Sequence, residues 1–325
     1  MQIKKAVITA AGRGALLYPA SDPVQKSMLP VVDLDGRVKP VMQIIAEEAL
    51  ESGIEEVCIV CAPGDQAEYL RLFSQRRDQL WKDAGVEPWA REQAERLDFL
   101  IGRLHFTVQQ EPWGYGHAVY CAHQAVGQEP FLLLLGDHLH ISHRKDKRCA
   151  RQLLDLARAE SCSVAAVQPT REHLVGLYGT LSGKRVADRS GVYQIEKILE
   201  KPSLSLAELE LQTPGLRAGF YLCLFGTYVL SPQIFSLLEE EVAKGVGEGR
   251  TLLLTPALQR LADQGKFLAM EIQGTRHDIG TRYGLLQAQI AMGLAGEGKS
   301  EVLELLTETL AEAHLRSAGG DGHDD

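Results

Sequence analysis

Carboxylates, lysines and glycines stand at the ends of several apolar runs in this chain. Residues 6–10 form one such run, which empties into Ala11-Gly12-Arg13-Gly14. Small residues there leave backbone N–H groups bare, a concavity that suits an anion. Lys26 can fold back and add a point charge; an ordinary tight turn is the competing reading. Residues 105–110 end in Gln109-Gln110, with Gly114 and Gly116 beyond. A glutamine amide at this strand end offers a donor and an acceptor together, which fits the O4/N3 edge of uracil. Gly116 would let a flat base lie against backbone, unless this is a surface glutamine and a plain turn. Residues 131–135, FLLLL, run into Gly136-Asp137-His138. A carboxylate in that position is costly to bury alone. A metal, a hydrogen-bond cage or a base would compensate, and hard oxygen suits Mg2+ shared with substrate phosphates. Helix capping or a salt bridge would serve as well. Asp278, in Arg276-His277-Asp278-Ile279-Gly280, is a second carboxylate at a strand-to-helix turn. In Glu200-Lys201-Pro202, Lys201 can neutralise a sugar phosphate while Glu200 accepts sugar hydroxyls; a solvated charge pair is the alternative.

Such groups need a sheet to hold them. Residues 39–52 carry apolar side chains at helical spacing, closed by Gly53, and 55–61 form a buried strand. Strand, loop, helix and strand in that order predict an α/β protein with a Rossmann-like, doubly wound mixed sheet. The continuous FLLLL run belongs mid-sheet, covered on both faces. Helices are expected over 65–78, through Cys121 and His123, and over 148–160, with an inserted helical segment over 79–103 and a strand over 161–168. From Leu177 onward, short β-like pieces at 179–181, 192–199 and 217–230 predict a small antiparallel annex over about 170–230, holding the other half of a cleft. Helices follow from Ser231 and over 255–264, then a last strand over 267–272. In open α/β sheets, ligands gather at the carboxyl ends of strands. The segment 300–315 is amphipathic, either docked on its own chain or making a dimer contact, and 319–325 reads as disordered.

The 325 residues include 34 basic and 43 acidic side chains, a net charge of −9. That balance argues against a surface that coats nucleic acid, so an anionic substrate must be held by a local basic pocket or a metal. No run approaches a membrane span, and residues 1–5 lead directly into a strand, unlike a secretory signal. Cys58 and Cys61 form a lone C-x-x-C inside an apolar strand. Together with Cys121, Cys149, Cys162 and Cys223 they read as reduced thiols of a cytoplasmic protein.

Position 17 is leucine, so the third glycine of a dinucleotide fingerprint is missing, and no Gly-Lys-Ser/Thr of a Walker loop follows. The opening stretch resembles the signature of the sugar-phosphate nucleotidyltransferases instead, with Gly12, Gly14, Pro19, Lys26, Leu29 and Pro30 in place. Further matches are Met28–Asp33, Glu111-Pro112-x-Gly114-x-Gly116-His117-Ala118-Val119, Asp137, Tyr178-Gly179, Glu200-Lys201-Pro202, Tyr228-Val229-Leu230-Ser231 and His277-Asp278-x-Gly280. In that order they are similar to the prokaryotic type of UTP–glucose-1-phosphate uridylyltransferase, over about residues 4–294. The resemblance implies a nucleotide-diphospho-sugar transferase fold over 1–294; beyond it a C-terminal helix and tail occupy 295–325, and the amphipathic pattern there allows a homo-oligomer contact. It implies Mg2+-dependent transfer of UMP from UTP to glucose 1-phosphate, with no nucleic-acid or membrane partner. By position, Ala11 and Gly12 meet the nucleotide, Lys26 the phosphates, and Gln110 and Gly116 the uracil. Asp137 and Asp278 take the metal, Gly179 and Glu200 face the sugar, and Lys201 holds its phosphate.

The chain departs from that pattern around the polyphosphate. The family's Thr-Arg is Ala15-Leu16 here, and an upstream lysine position holds Asp22. Loss of one preorganised charge contact costs about 3 kcal/mol of transition-state stabilisation. Arg250 is a candidate replacement. Two readings follow: a working uridylyltransferase with altered phosphate contacts, or a member that binds nucleotide or nucleotide sugar as a sensor without efficient transfer.

Overall fold

The protein is described by a computed structural model covering residues 1–12, 25–245 and 251–319, with backbone alone at 316–319. Gly14, Ala15, Leu16, Pro19, Asp22 and Arg250, and nearly all of the tail expected to be disordered, lie outside the described residues. The strands are β1 (Lys5–Thr9), β2 (Pro30–Val32), β3 (Val38–Pro40), β4 (Glu56–Cys61), β5 (Leu104–Val108), β6 (Phe131–Leu135) and β7 (His138–Ser142). Then come β8 (Ser163–Arg171), β9 (Thr180–Arg185), β10 (Val192–Leu199), β11 (Phe220–Leu230), β12 (Phe267–Glu271) and β13 (Gly274–Asp278). Nine of them form one sheet in the order β5-β4-β1-β6-β11-β8-β12-β10-β9.

The first four of these are parallel. Their side chains divide between two faces: Ile8, Leu132 and Leu134 join one core, while Val7, Phe131 and Leu133 join the other. A strand covered on both faces has no polar side to show, which is why β6 reads as unbroken leucine. Beyond β6 the sheet turns mixed. β11 runs antiparallel to both β6 and β8, and β8 is parallel to β12. The residues around 170–230 thus extend the main sheet through β9, β10 and β11. They carry a small core of Val175, Ala207, Leu211, Tyr221 and Cys223, covered by a helix at Leu204–Glu210 that the sequence reading passes over.

Helix Asp65–Asp83 is longer than its apolar spacing suggests, and the inserted segment is a second helix at Pro88–Ile101. Beneath the start of the chain, the β2–β3 hairpin buries Lys39 among Asp33, Asp35 and Glu47, at 2.6, 2.9 and 3.0 Å. The hairpin is also tied to helix Gly284–Ala295 by Gln289, which bonds Val32 N and Pro30 O. Lys26 opens a short 3-10 turn, Lys26–Met28, and only three residues separate it from the start of β2 at Pro30, so the hairpin lies at the base from which Lys26 projects.

A two-stranded sheet of β7 and β13 pairs Asp278 with His138. Sequence reading expects a plain strand-to-helix turn at 274–280. The pairing is non-local, and no short-range pattern announces it. The last helix, Lys299–Gly319, packs Val302 against Gly293 of the preceding helix and leaves Leu303, Leu305, Leu310 and Leu315 exposed.

Candidate active site

Two cavities adjoin at the carboxyl ends of β1 and β6. One, of about 250 Å3, is bordered by Ala11, Gly12, Lys26, Gln109 and Pro112. The other, of about 330 Å3, is bordered by Gly179, Glu200, Lys201, Arg276 and Asp278. Tyr115, Leu135 and Asp137 line both. Each is of a size that takes part of a small ligand, and Asp137 stands where they meet.

Asp137 is partly buried and forms an ion pair through Oδ2 with Lys26. The salt bridge weighed for this carboxylate is therefore present, and it joins two residues singled out separately in the sequence. On the other side, Asp137 Oδ1 lies 3.9 Å from His138 Nε2, and Asp278 Oδ2 lies 3.8 Å from the same nitrogen. Asp278 Oδ1 accepts the Gly280 amide at 2.8 Å. Burial alone would push the Asp278 carboxyl up, but His138, the Gly280 amide and Lys26 outweigh it and hold the group below its usual value. A carboxylate kept ionised in a partly buried site is ready to meet a cation.

In the second cavity Glu200 accepts a hydrogen bond from the Thr255 hydroxyl. Lys201 adopts φ +43°, a left-handed backbone that is costly for a side-chain-bearing residue and is found where function holds it. Pro202 follows directly and restricts the same residue further. Arg276 stacks over Tyr178 at 4.0 Å and donates to the Leu224 carbonyl at 2.5 Å. Lys201 and Arg276 give this end two cations.

The glutamine pair is divided by the pleat. Gln109 is buried and lines the first cavity, its Nε2 bonded to the Gly114 carbonyl at 3.1 Å and facing His117 Nδ1 at 3.1 Å. Gln110, the residue expected to read a base, is exposed and lines neither cavity. Gly116 is beside the cavity rather than on its wall. A Cβ there would stand 2.7 Å from the Leu253 carbonyl, because residues 251–254 cross over it with Gly116 N bonded to Leu252 O and Leu252 N to Trp113 O. That crossing segment covers the side of Gly116 toward which a side chain would point.

The structure thus brings together Ala11, Gly12, Lys26, Asp137, Gly179, Glu200, Lys201 and Asp278, and leaves out Gln110 and Gly116. It adds Gln109, Tyr115, His138, Thr255 and Arg276. Gln109 and Gln110 follow the end of β5, whose burial shows no alternation to tell them apart; His138 and Arg276 owe their places to the β7–β13 pairing. Chemically, the arrangement offers bare amides and a lysine on one side, a carboxylate pair at the junction, and a glutamate with two cations on the other.

A family model described as Nucleotidyl transferase matches residues 5–293. The UTP–glucose-1-phosphate uridylyltransferase YngB of Bacillus subtilis is 33% identical over 313 residues, covering 95% of this chain and 96% of its own. A UTP–glucose-1-phosphate uridylyltransferase of Streptococcus pneumoniae is 32% identical over 90% of this chain and 91% of its own. Among solved structures, a UDP-glucose pyrophosphorylase complexed with UDP-glucose aligns with a TM-score of 0.70 at 28% identity, over 89% of this chain and 98% of its own. A UTP-bound UGPase from Acinetobacter baumannii aligns with a TM-score of 0.70 at 26% identity, over 94% and 99%.

Proposed function

Because the chain belongs to the nucleotidyl transferase family, we propose that it transfers UMP from UTP to glucose 1-phosphate, forming UDP-glucose and pyrophosphate. The observation that carries this reading is the junction of two cavities at Asp137, one bordered by Gly12, Lys26 and Gln109, the other by Glu200 and Lys201.

A phosphate oxygen of the sugar phosphate attacks the α-phosphorus of UTP. The bond from that phosphorus to the α–β bridging oxygen breaks, and pyrophosphate leaves with the electron pair. No protein nucleophile takes part, so the residues work by positioning and by neutralising charge. The amides around Ala11 and Gly12, with Lys26, hold the triphosphate. Gln109 takes the uracil edge, the role expected of its neighbour. Lys201 brings in the sugar phosphate, and Glu200, oriented by Thr255, accepts sugar hydroxyls beside Gly179. The hard oxygens of Asp137 and Asp278 lie close enough together to hold Mg2+, which would be shared with substrate phosphates. When bound, the ion would neutralise charge on those phosphates.

Residues 1–294 make up the catalytic unit, and the exposed leucines of the last helix support a homo-oligomer contact. All six cysteines are free, which supports a reducing compartment and hence the cytoplasm. Among the described residues no helix is long and apolar enough to cross a membrane.

Pyrophosphate release from UTP, glucose 1-phosphate and Mg2+, measured across a matrix of nucleotides and sugar phosphates, is the test. A rate no faster than buffer for every pair would sink transfer. Ala15-Leu16 in place of Thr-Arg gives a second reading its footing: binding without efficient transfer, seen as UDP-glucose raising the Tm while pyrophosphate release fails.

A further inference from the structure

The junction carries a nitrogen that a Mg2+ site does not call for. His138 is only 9% exposed. Its Nε2 stands 3.8 and 3.9 Å from one oxygen of each carboxylate. Those gaps are too long for hydrogen bonds and leave room for an ion with metal–ligand bonds of about 2.0–2.2 Å. One donor atom from each of Asp137, His138 and Asp278 lies within 4.8 Å of the others. The second oxygens are already engaged, by Lys26 on Asp137 and by the Gly280 amide on Asp278. Each carboxylate therefore turns its remaining oxygen toward the imidazole.

The ring is also held in place. β7 and β13 set His138 opposite Asp278. Behind it is Gly226, at φ +85°, where a Cβ would stand 2.5 Å from Nδ1. Any side chain there would push the ring forward into the junction. Nε2 is the ring nitrogen that faces the two carboxylates; among the described residues Nδ1 has no hydrogen-bond partner.

We propose that His138 Nε2 is a third protein donor, beside Asp137 and Asp278, to the divalent cation of this site, and that it shifts the preference from Mg2+ toward Mn2+ or Co2+. Imidazole suits transition ions, whereas Mg2+ keeps to oxygen. The inference rests on the reading of the junction as a nucleotidyl-transfer centre.

The test is pulsed EPR on the full-length protein with Mn2+ and UTP, together with Mn2+ and Mg2+ titrations. The expected result is a 14N coupling from a directly bound imidazole, absent in His138→Val. Mn2+ affinity falls about tenfold or more in that variant, at least the scale of lost outer-shell support, and Mg2+ affinity falls less. Mn2+ that fails to bind, that binds without 14N coupling, or that keeps the coupling in His138→Val overturns the proposal. Should His138→Val not fold, the wild-type spectrum decides alone. Pyrophosphate release without the coupling sinks the role of His138 and leaves the transfer reading intact. The coupling without pyrophosphate release does the reverse.

Discussion

Gln109 and Gln110 are chemically identical and differ only in which way the pleat turns them. Gln109 faces the first cavity and Gln110 faces solvent. Losing one hydrogen bond to the base costs about 1 kcal/mol, or roughly fivefold in binding. Gln109→Ala is thus expected to raise KM for UTP about fivefold and to weaken the choice of uracil, while Gln110→Ala leaves both unchanged. Steady-state kinetics with UTP, CTP and ATP decide it. Asp137 joins Lys26 to both cavities, so Asp137→Asn is expected to lower turnover about a hundredfold or more, the scale of a lost preorganised charge contact. At this scale the sequence was informative wherever a residue ends an apolar strand. Gly12 and Asp137 could be paired on that ground alone. The glutamines could not, because a one-residue offset reverses every side chain of a strand, and β5 is a sheet edge with only half-buried side chains to fix its phase.

Among elements, the hairpin beneath Lys26 positions the site from below, and the segment crossing Gly116 positions it while lining the second cavity with Leu253 and Leu254. Lys39 is 1% exposed and holds three carboxylates. Removing one partner of a buried ion pair costs about 3–5 kcal/mol, so Lys39→Met is expected to lose that much in denaturant unfolding. Burial pushes the Asp35 carboxyl up, but Lys39 and the Arg37 amide outweigh it, and the group ends below its ordinary value of 3.8. The unfolded chain therefore takes up the proton first. The stability from this group is full above pH 3.8 and is lost as pH falls below it through the lowered folded value. An acid-unfolding series should show that loss in wild type and less of it in Asp35→Asn. Gly116→Ala would press a methyl on the Leu253 carbonyl. Overpacking of this kind costs about 1–3 kcal/mol, and thermal unfolding should register it together with a fall in turnover. Elements built from local periodicity, such as 192–199 and 255–264, were legible in full. The β7–β13 pair was not, since its register joins segments far apart in the chain.

For the whole molecule, one mixed sheet supplies both halves of the crevice. β1 and β6 end at the first cavity, while β9, β10 and β11 extend the same sheet to the second. The expected annex is thus continuous with the first half of the sheet, and Glu200 just past β10 shares a frame with Asp137 just past β6. Among the described residues the last helix lines neither cavity, and it exposes Leu303, Leu305, Leu310 and Leu315. If it joins subunits, Leu305→Glu with Leu310→Glu should lower the mass measured by light scattering while the Tm holds. An unchanged mass would place the contact elsewhere.

A crystal structure with UDP-glucose bound tests the central claim most directly. The account predicts uracil against Gln109, the diphosphate beside Asp137, and glucose between Gly179 and Glu200. Nucleotide and sugar in a different region, with the Asp137 junction left to solvent, would contradict it.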